Sequence, residues 1–383
     1  MQSIIKQIFP YYRKIRQQIH ANPELKYEEF QTAALVAQEL KKLGLPVQMQ
    51  VGRTGVVAVL DSGKPGKTVA LRADMDALPI HEETKLPYQS KTAGIMHACG
   101  HDGHTATLLA VAHMLTQMKS LVGKIKFIFQ PAEEGGAGAK AMIDDGVLDN
   151  PRVDAIFAYH NHPGAAVGTI LARQGCSLYG NCAFDINVRG QGGHAAQPEK
   201  VNNPNIAAAK IVCELHPYIV ELNQEEEPSI LAISQINSGT IRNVIPDVAT
   251  IQGTIRASSI EKLQAIQEKL QQTLAQIGNE TQTRIEVDFP QRCPPTISSA
   301  FETEFVMEQA KRLFGEHRVQ IKPKPARASE DFSYFLQKVP GCYLFIGNGD
   351  SHFCHQSQYD FNDEVMLTAV ELLTTIAINY LKI

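Results

Sequence analysis

Residues 124–134 read Lys-Ile-Lys-Phe-Ile-Phe-Gln-Pro-Ala-Glu-Glu, an apolar run of strand length that stops at a proline and two adjacent carboxylates. It lies between two stretches of helical texture, about 104–118 and 137–145. The same alternation extends outward. Ile5, Ile8, Phe9, Tyr12, Ile15 and Ile19 recur at helical spacing until Asn22-Pro23, and a second helix over about 28–43 stops at Gly44. Strands are predicted at 55–60 and 68–73, with a turn-rich segment between them, and at 153–159. Near-continuous apolar strands alternating with helices predict an α/β domain, its sheet mostly parallel and covered by helices on both faces.

The texture changes near residue 181. Alternating strands at 183–188, 230–236 and 249–256 are interleaved with helices near 204–219 and 260–277, the pattern of a small α+β layer domain. After Pro294-Pro295 the α/β texture returns, with a helix near 300–314, a strand at 342–346 and a last helix near 362–381. The expectation is one sheet domain, 1–180 and 294–383, interrupted by a domain inserted at 181–293. A chain of 383 residues suits two cores better than one.

Composition narrows the class. Hydrophobic residues make up 44% and charged residues 20%, as in soluble globular proteins, and no apolar run approaches a membrane span. A net charge of −4 gives no electrostatic reason to expect nucleic acid or an anionic membrane as partner. The N-terminal residues carry no signal-peptide pattern, and the seven cysteines are scattered without a disulfide spacing. The chain therefore reads as reduced and cytoplasmic.

The polar chemistry gathers where apolar strands end. The strand at 68–73 runs into Asp74-Met-Asp76, and the one at 124–129 into Glu133-Glu134. The strand at 153–159 runs into His160-Asn-His162, and the one at 342–346 into a loop with His352 and His355. In open α/β sheets, sites form outside the carboxyl ends of the strands, so these loops are placed to converge. A fifth segment, Met-His-Ala-Cys-Gly-His-Asp-Gly-His at 96–104, concentrates metal-ligand types. Flanked by Gly100 and Gly103, Cys99 and His101 can reach one point from a loop. A thiolate can bridge two cations, and neutral imidazole suits Zn, Ni, Co or Mn. Each element also has a plainer reading: solvated loop charge for the glutamates, a satisfied strand-end histidine for His160, a helix cap for His355.

Several strings carry a resemblance. Arg-Ala-Asp-Met-Asp-Ala-Leu-Pro (72–79), His-Ala-Cys-Gly-His-Asp-Gly-His (97–104), Pro-Ala-Glu-Glu-Gly (131–135) and Gly-Gly-His-Ala-Ala-Gln-Pro (192–198) belong to it. So do Asn-Val-Ile-Pro-Asp (243–247), Gly-Thr-Ile-Arg (253–256), Ser-Glu-Asp-Phe (329–332) and Tyr-Asp-Phe-Asn-Asp (359–363). In this order they resemble the amidohydrolase branch of the aminoacylase/carboxypeptidase-type dinuclear metallopeptidases, nearly end to end. That branch includes hippurate hydrolase, N-acyl-amino-acid amidohydrolases and indole-acetyl-amino-acid hydrolases.

The resemblance implies two divalent metal ions per subunit (Mn, Zn, Co or Ni) bridged by Cys99. His101 and His160 would complete one metal site, Glu134 and His355 the other. Other branches begin their site with His-x-Asp, where this chain reads Arg72-Ala73-Asp74. Asp74 would then act behind the ligands, orienting an imidazole, or simply pair with Arg72. Glu133 would be the general base, taking a proton from a metal-bridging water and delivering it to the leaving amine. In the inserted domain, a lid and dimerisation domain in the family, His194 would stabilise the tetrahedral oxyanion, in its own subunit or across a dimer. Asn243 and Arg256 would hold the substrate carboxylate, for which a planar guanidinium is well shaped.

The implied reaction is hydrolysis of N-acyl-amino acids in a homodimer or higher homo-oligomer. A metallo-dipeptidase or carboxypeptidase on the same metals is the alternative enzyme, and a non-catalytic metal-binding homologue the alternative outside enzymes. His97, His104, His162 and His352 are surplus to a two-metal site and read as supporting or surface residues. Ser329-Glu330-Asp331 reads as the capped start of a helix. Two departures stand out from the family pattern. The segment 174–182 lacks the expected Met-Ala-like run, which bears on the acyl pocket, and Cys354 replaces an aliphatic residue before His355, bringing a thiol near the site.

Overall fold

A computed structural model describes residues 1–290, 292–322 and 324–383. The chain divides into two compact units. The first comprises Met1–Ser177, Thr296–Pro323 and Asp331–Ile383, the second Leu178–Pro295 and Lys324–Glu330. The short piece Lys324–Glu330, which the sequence reading leaves with the sheet domain, groups with the second unit because Ala326 pairs with Leu178.

In chain order the main strands are β1 (Val47–Val51), β2 (Gly55–Asp61), β3 (Thr68–Asp74), β4 (Lys124–Gln130), β5 (Ala155–Pro163) and β6 (Ile170–Ala172). Then come β7 (Gly180–Arg189), β8 (Ile230–Ser238), β9 (Val248–Ala257), β10 (Arg284–Asp288), β11 (Val319–Ile321) and β12 (Gly341–Gly349). The helices are α1 (Gln2–Ala21), α2 (Phe30–Lys42), α3 (His101–Thr116), α4 (Gly138–Asp144), α5 (Pro204–Asn223), α6 (Ile260–Thr281), α7 (Ala300–Phe314), α8 (Ser333–Leu336) and α9 (Glu364–Tyr380).

The first unit is built on an eight-stranded sheet in the order β1-β2-β4-β3-β5-β12-β6-β11. Its four central strands, β4, β3, β5 and β12, are mutually parallel, as the apolar runs imply. The flanks mix directions: β1–β2, β2–β4 and β12–β6 are antiparallel, and β6–β11 is parallel. Both faces of the centre are buried. Val69, Leu71, Phe127, Phe129, Phe157 and Leu344 join one core with side chains from α1, α2, α3, α7 and α9. The alternate residues Ala70, Ile128, Ile156, Ala158 and Tyr343 are equally buried on the opposite face, where Phe332 packs on Tyr343 at 5.5 Å between ring centroids. Each large apolar side chain so enclosed contributes about 1.5–3 kcal/mol, so the strand ends stand on a rigid base.

The second unit is an antiparallel sheet in the order β8-β9-β7-β10, with Arg292–Cys293 also pairing with β7. Phe184, Ile186, Val188, Ile251 and Ile255 pack with Ile211, Leu215, Ile266 and Leu270 of α5 and α6 in a separate core. The alternate positions Ala183, Asp185 and Asn187 are only half-buried, so helices cover one face of this sheet. Among the described residues, no helix is long and apolar enough to cross a membrane.

Candidate metal centre

Helix α3 begins earlier than the sequence pattern suggests, at His101 rather than near 104. His101 is therefore a first-turn helix residue and not part of a loop. Its N-cap, Gly100, has φ +95°, and a Cβ at this position would collide with Asn161 Oδ1 and the Tyr359 hydroxyl. Only glycine makes this turn between Cys99 and His101 without strain.

Across the turn, Cys99 Sγ lies 3.4 Å from Nε2 of His160, which sits within β5, since that strand runs on to Pro163 beyond the expected end at 159. Ligand atoms of Cys99, His101 and His160 all fall within 4.8 Å of one another, and so do those of Cys99, Glu134 and His355. Cys99 is common to both groups. His355 Nε2 stands 3.1 Å from Glu134 Oε1, and Glu133 joins Glu134 and His101 in a further group of the same size. His355 itself has φ +69°, an uncommon conformation for a side-chain-bearing residue, and its amide is tied to the Ala98 carbonyl at 2.7 Å.

The backbone orients two of these histidines. His101 Nδ1 lies 2.8 Å from the Asp76 carbonyl oxygen, and His160 Nδ1 lies 2.7 Å from that of Asn161. A carbonyl oxygen only accepts, so Nδ1 donates, and in its neutral form each ring turns its Nε2 lone pair toward the cluster. Among the described residues, Nε2 of His101 is buried without a hydrogen-bond partner, and Glu134 Oε1 is buried with only the His355 ion pair. Leaving such atoms unsatisfied costs about 1–3 kcal/mol each. Three imidazoles, a thiol and a carboxylate closing on one space are a donor set for divalent transition metals or zinc. The residues present fit two such cations.

Electrostatics agree. Burial disfavours charge on His101, but Asp74, Asp76 and Glu134 outweigh it and hold its pKa well above the usual value. A cation would take the place of that extra proton. Burial and the neighbouring His104 hold His160 well below its usual value. The hydrogen bond with Cys354, together with burial, raises the Cys99 thiol, and Glu134 raises His355 through its hydrogen bond. A bound cation inverts the preference of the thiol by stabilising its anion.

The glutamates are presented by a tight turn in which Ala132, Gly135 and Ala137 all have positive φ. Glu29 Oε1 accepts from Ala132 N at 2.8 Å. Asp76 Oδ1 and Oδ2 accept from Glu133 N at 3.0 Å and Glu134 N at 2.9 Å. Asp76 thus fixes the glutamate turn with its side chain and His101 with its carbonyl. The Asp331 amide donates to Glu133 Oε1 at 3.3 Å. Asp331 also accepts from Gln130 Nε2 at 2.7 Å and Ala139 N at 3.0 Å, and it faces Arg72 Nη2 at 3.3 Å. The expected helix start at Ser329-Glu330-Asp331 is not observed, since α8 begins at Ser333 and Asp331 is buried in this network.

Asp74 meets both of its expected surroundings. It pairs with Arg72 Nη1 at 2.7 Å and with His104 Nδ1 at 2.6 Å, while His101 Nε2 stands 3.8 Å away. Burial opposes its charge, yet His101, Arg72 and His104 hold its carboxyl well below the usual range. The other ring nitrogen of His104 meets Asn161 Oδ1 at 2.8 Å, and Asn161 Nδ2 donates to the Tyr359 hydroxyl at 2.6 Å. The sequence reading assigned none of Asp76, Asn161, Tyr359 and Asp331 its supporting role, although each stands in a segment it quoted. The available signal was the Asp74-Met-Asp76 spacing, which places a second carboxylate just past the end of β3.

His194, Asn243 and Arg256 all belong to the second unit. His194 is exposed in a two-residue ladder, Gly193–His194 against Val244–Ile245, and its Nδ1 accepts from Ala196 N at 3.1 Å. The Asn243 carbonyl accepts from Ala195 N at 3.1 Å, so these two residues share one ladder. Arg256 lies elsewhere, near the end of β9, donating through Nη1 to the Arg327 carbonyl at 3.0 Å and to Ser329 Oγ at 3.3 Å.

Known proteins share this framework. The chain is 38% identical over 371 residues to a hippurate hydrolase of Campylobacter jejuni, covering 97% of each protein. It is 37% identical to an N-acetyl-L-cysteine deacetylase of Bacillus subtilis, covering 93% of this chain and 84% of the relative. Among solved structures, the Bacillus subtilis YXEP protein, described as a dinuclear metal binding peptidase of the M20 family, superimposes with a TM-score of 0.86. Its identity is 30%, and the match covers 98% of this chain and 99% of that one. Residues 70–379 match the profile of peptidase family M20/M25/M40, which places every candidate ligand inside the matched region. The chain belongs to peptidase family M20/M25/M40.

Proposed function

We propose that the protein is a metal-dependent amidohydrolase that cleaves N-acyl-amino acids to a carboxylic acid and a free amino acid. The observation that carries this reading is the pair of three-residue ligand groups sharing Cys99, with Glu133 beside them. The hippurate hydrolase and deacetylase relatives support the substrate class. Cys99, His101 and His160 would hold one divalent cation, and Cys99, Glu134 and His355 the other. When bound, such ions supply Lewis acidity toward an amide carbonyl and lower the pKa of water.

Glu133 does the proton work. Its carboxylate accepts a proton from the attacking water as the C–O bond forms, then returns it to the amide nitrogen as the C–N bond breaks. Asp76 and the Asp331 amide keep that carboxylate in place. His194 would donate to the developing oxyanion, and Asn243 and Arg256 would hold the substrate carboxylate through charge-assisted hydrogen bonds. A lid and dimerisation role for the inserted domain, assembly as a homodimer or higher homo-oligomer, and a cytoplasmic location complete the proposal. Sedimentation and cell fractionation test the last two.

The decisive assay compares hippurate, an N-acetyl-amino acid and a dipeptide, each with protein stripped by chelator and then supplied with Mn or Zn. Metal-restored hydrolysis of the first two supports the proposal. Hydrolysis of the dipeptide alone favours the second reading, a metallo-dipeptidase or carboxypeptidase, which the peptidase description of the family and of the YXEP protein supports. No hydrolysis by protein shown to carry metal would leave a binding protein.

A further inference from the structure

A second thiol stands beside the shared ligand. Residues 353–355 run against residues 98–99, with the His355 amide on the Ala98 carbonyl at 2.7 Å and Cys354 Sγ 3.8 Å from the Cys99 carbonyl oxygen. The Cys354 thiol donates toward the backbone carbonyl of Cys99 itself, which brings the two side chains into one neighbourhood, and Cys354 raises the Cys99 thiol while Cys99 lowers that of Cys354. Asn161 Nδ2 also donates to Cys354 Sγ, at 3.8 Å. Cys99 is buried and Cys354 is half-buried, so a small solute meets Cys354 first.

We infer that Cys99 and Cys354 form an oxidative modification site at which a hydroperoxide closes a disulfide and withdraws the donor common to both ligand groups. Cys354 Sγ attacks one oxygen of hydrogen peroxide. The O–O bond breaks, one water leaves with the thiol proton, and Cys354 becomes a sulfenic acid. Cys99 Sγ then attacks the Cys354 sulfur. The S–OH bond breaks, the S–S bond forms, and the hydroxyl leaves as a second water with the Cys99 proton. The two thiols together lose two electrons, and one peroxide is reduced to two waters.

A disulfide sulfur has lost the anionic charge that lets a thiolate bind and bridge cations. One oxidation therefore disables the Cys99, His101, His160 group and the Cys99, Glu134, His355 group together. This consequence rests on the metal-centre reading under Proposed function, whereas the cross-link does not. A cation on Cys99 occupies the attacking lone pair, so the metal-free protein is the sensitive form.

The test uses the full-length chain, stripped by chelator, treated with a few equivalents of hydrogen peroxide and digested without reductant. The expected result is a peptide pair joined through Cys99 and Cys354, with two free thiols lost per chain and regained on dithiothreitol. Uptake of Mn, read by equilibrium dialysis and elemental analysis, should fall at least tenfold on oxidation and recover on reduction. Cys354→Ser should keep its Mn uptake after the same treatment. Absence of the Cys99–Cys354 peptide, or loss of uptake by Cys354→Ser as complete as in the parent protein, overturns the inference. A cross-link formed by a protein whose reduced form takes up none of Mn, Zn, Co and Ni supports the modification site and refutes the metal-centre reading.

Discussion

Glu133 and Glu134 are adjacent in the chain yet are given different surroundings. Oε1 of Glu134 stands against the His355 imidazole, while Glu133 receives the Asp331 amide. The division of labour is tested by Glu133→Gln, which keeps the shape and removes the base. Metal content should stay near two equivalents while turnover falls about 100-fold or more, the scale of lost acid–base catalysis. A metal-poor variant would make Glu133 a ligand instead. Cys99 separates from the other ligands in the same way: Cys99→Ala should lower metal content by more than one equivalent, whereas His160→Ala should lower it by about one. Equal losses measured by elemental analysis would count against a bridging thiol. At this scale the sequence named the donor side chains that the fold brings together and was silent about the residues that hold them. Cys99, His101, Glu134, His160 and His355 are metal-binding types that the fold gathers within reach of one another, although taken singly several of them also had a plainer reading. Asp76, Asn161 and Tyr359 are ordinary polar residues, and their importance comes from partners 57, 57 and 198 positions away.

Elements of the sheet were legible where apolar runs are long and blurred where they are short. The central strands β3, β4, β5 and β12 announce themselves because both faces are buried, so every residue is apolar or paired. Strands β1, β6 and β11 lie in the outer part of the sheet, and two of them are only three residues long, too short for periodicity to speak. The early start of α3 was hidden by Gly100, which reads as loop composition and serves as a left-handed cap. The supposed helix at 329–331 was misled by Ser and acidic residues that also suit burial beside Arg72 and Gln130. The turn at 131–137 gives the sharpest test at this scale. It carries three positive-φ residues and is held at its centre by Asp76. Asp76→Ala leaves the carbonyl that orients His101 but frees the amides of Glu133 and Glu134. Metal affinity should fall about 10–100-fold, the usual cost of losing an outer support, while helix content is unchanged. Chelator competition followed with circular dichroism reads both, and an unchanged affinity would show that the turn holds itself.

The first unit is also tied together by charge over most of the length of the chain. Arg16 of α1 is buried between Asp102 (3.2 Å), Asp360 (2.9 Å) and Asp363 (2.8 Å), so the first helix, α3 and the segment before α9 meet at one guanidinium. His20, one turn further on, bridges Asp102 at 2.9 Å and Glu82 at 3.2 Å, edge-on to the Tyr88 ring and near His97. Burial works against its charge, but Asp102 and Glu82 prevail over both burial and Arg16, and its pKa is pushed up to about 9. An unfolded histidine titrates near 6.5, so between about pH 6.5 and 9 the folded chain holds a proton that the unfolded chain has released. The stabilisation is complete below about 6.5 and is lost as pH rises through about 9. Asp363, which burial raises to about 6, adds a decline of the same sign between its ordinary value and about pH 6. Stability measured by urea unfolding should therefore fall across the alkaline window, with a slope from His20 of at most about 1.4 kcal/mol per pH unit. His20→Gln removes that titration: the variant should be less stable at pH 6.5, and its curve should be flatter up to pH 9. A variant whose stability ran parallel to the parent protein through the whole window would show that His20 is neutral in the fold, and that Arg16 alone neutralises Asp102.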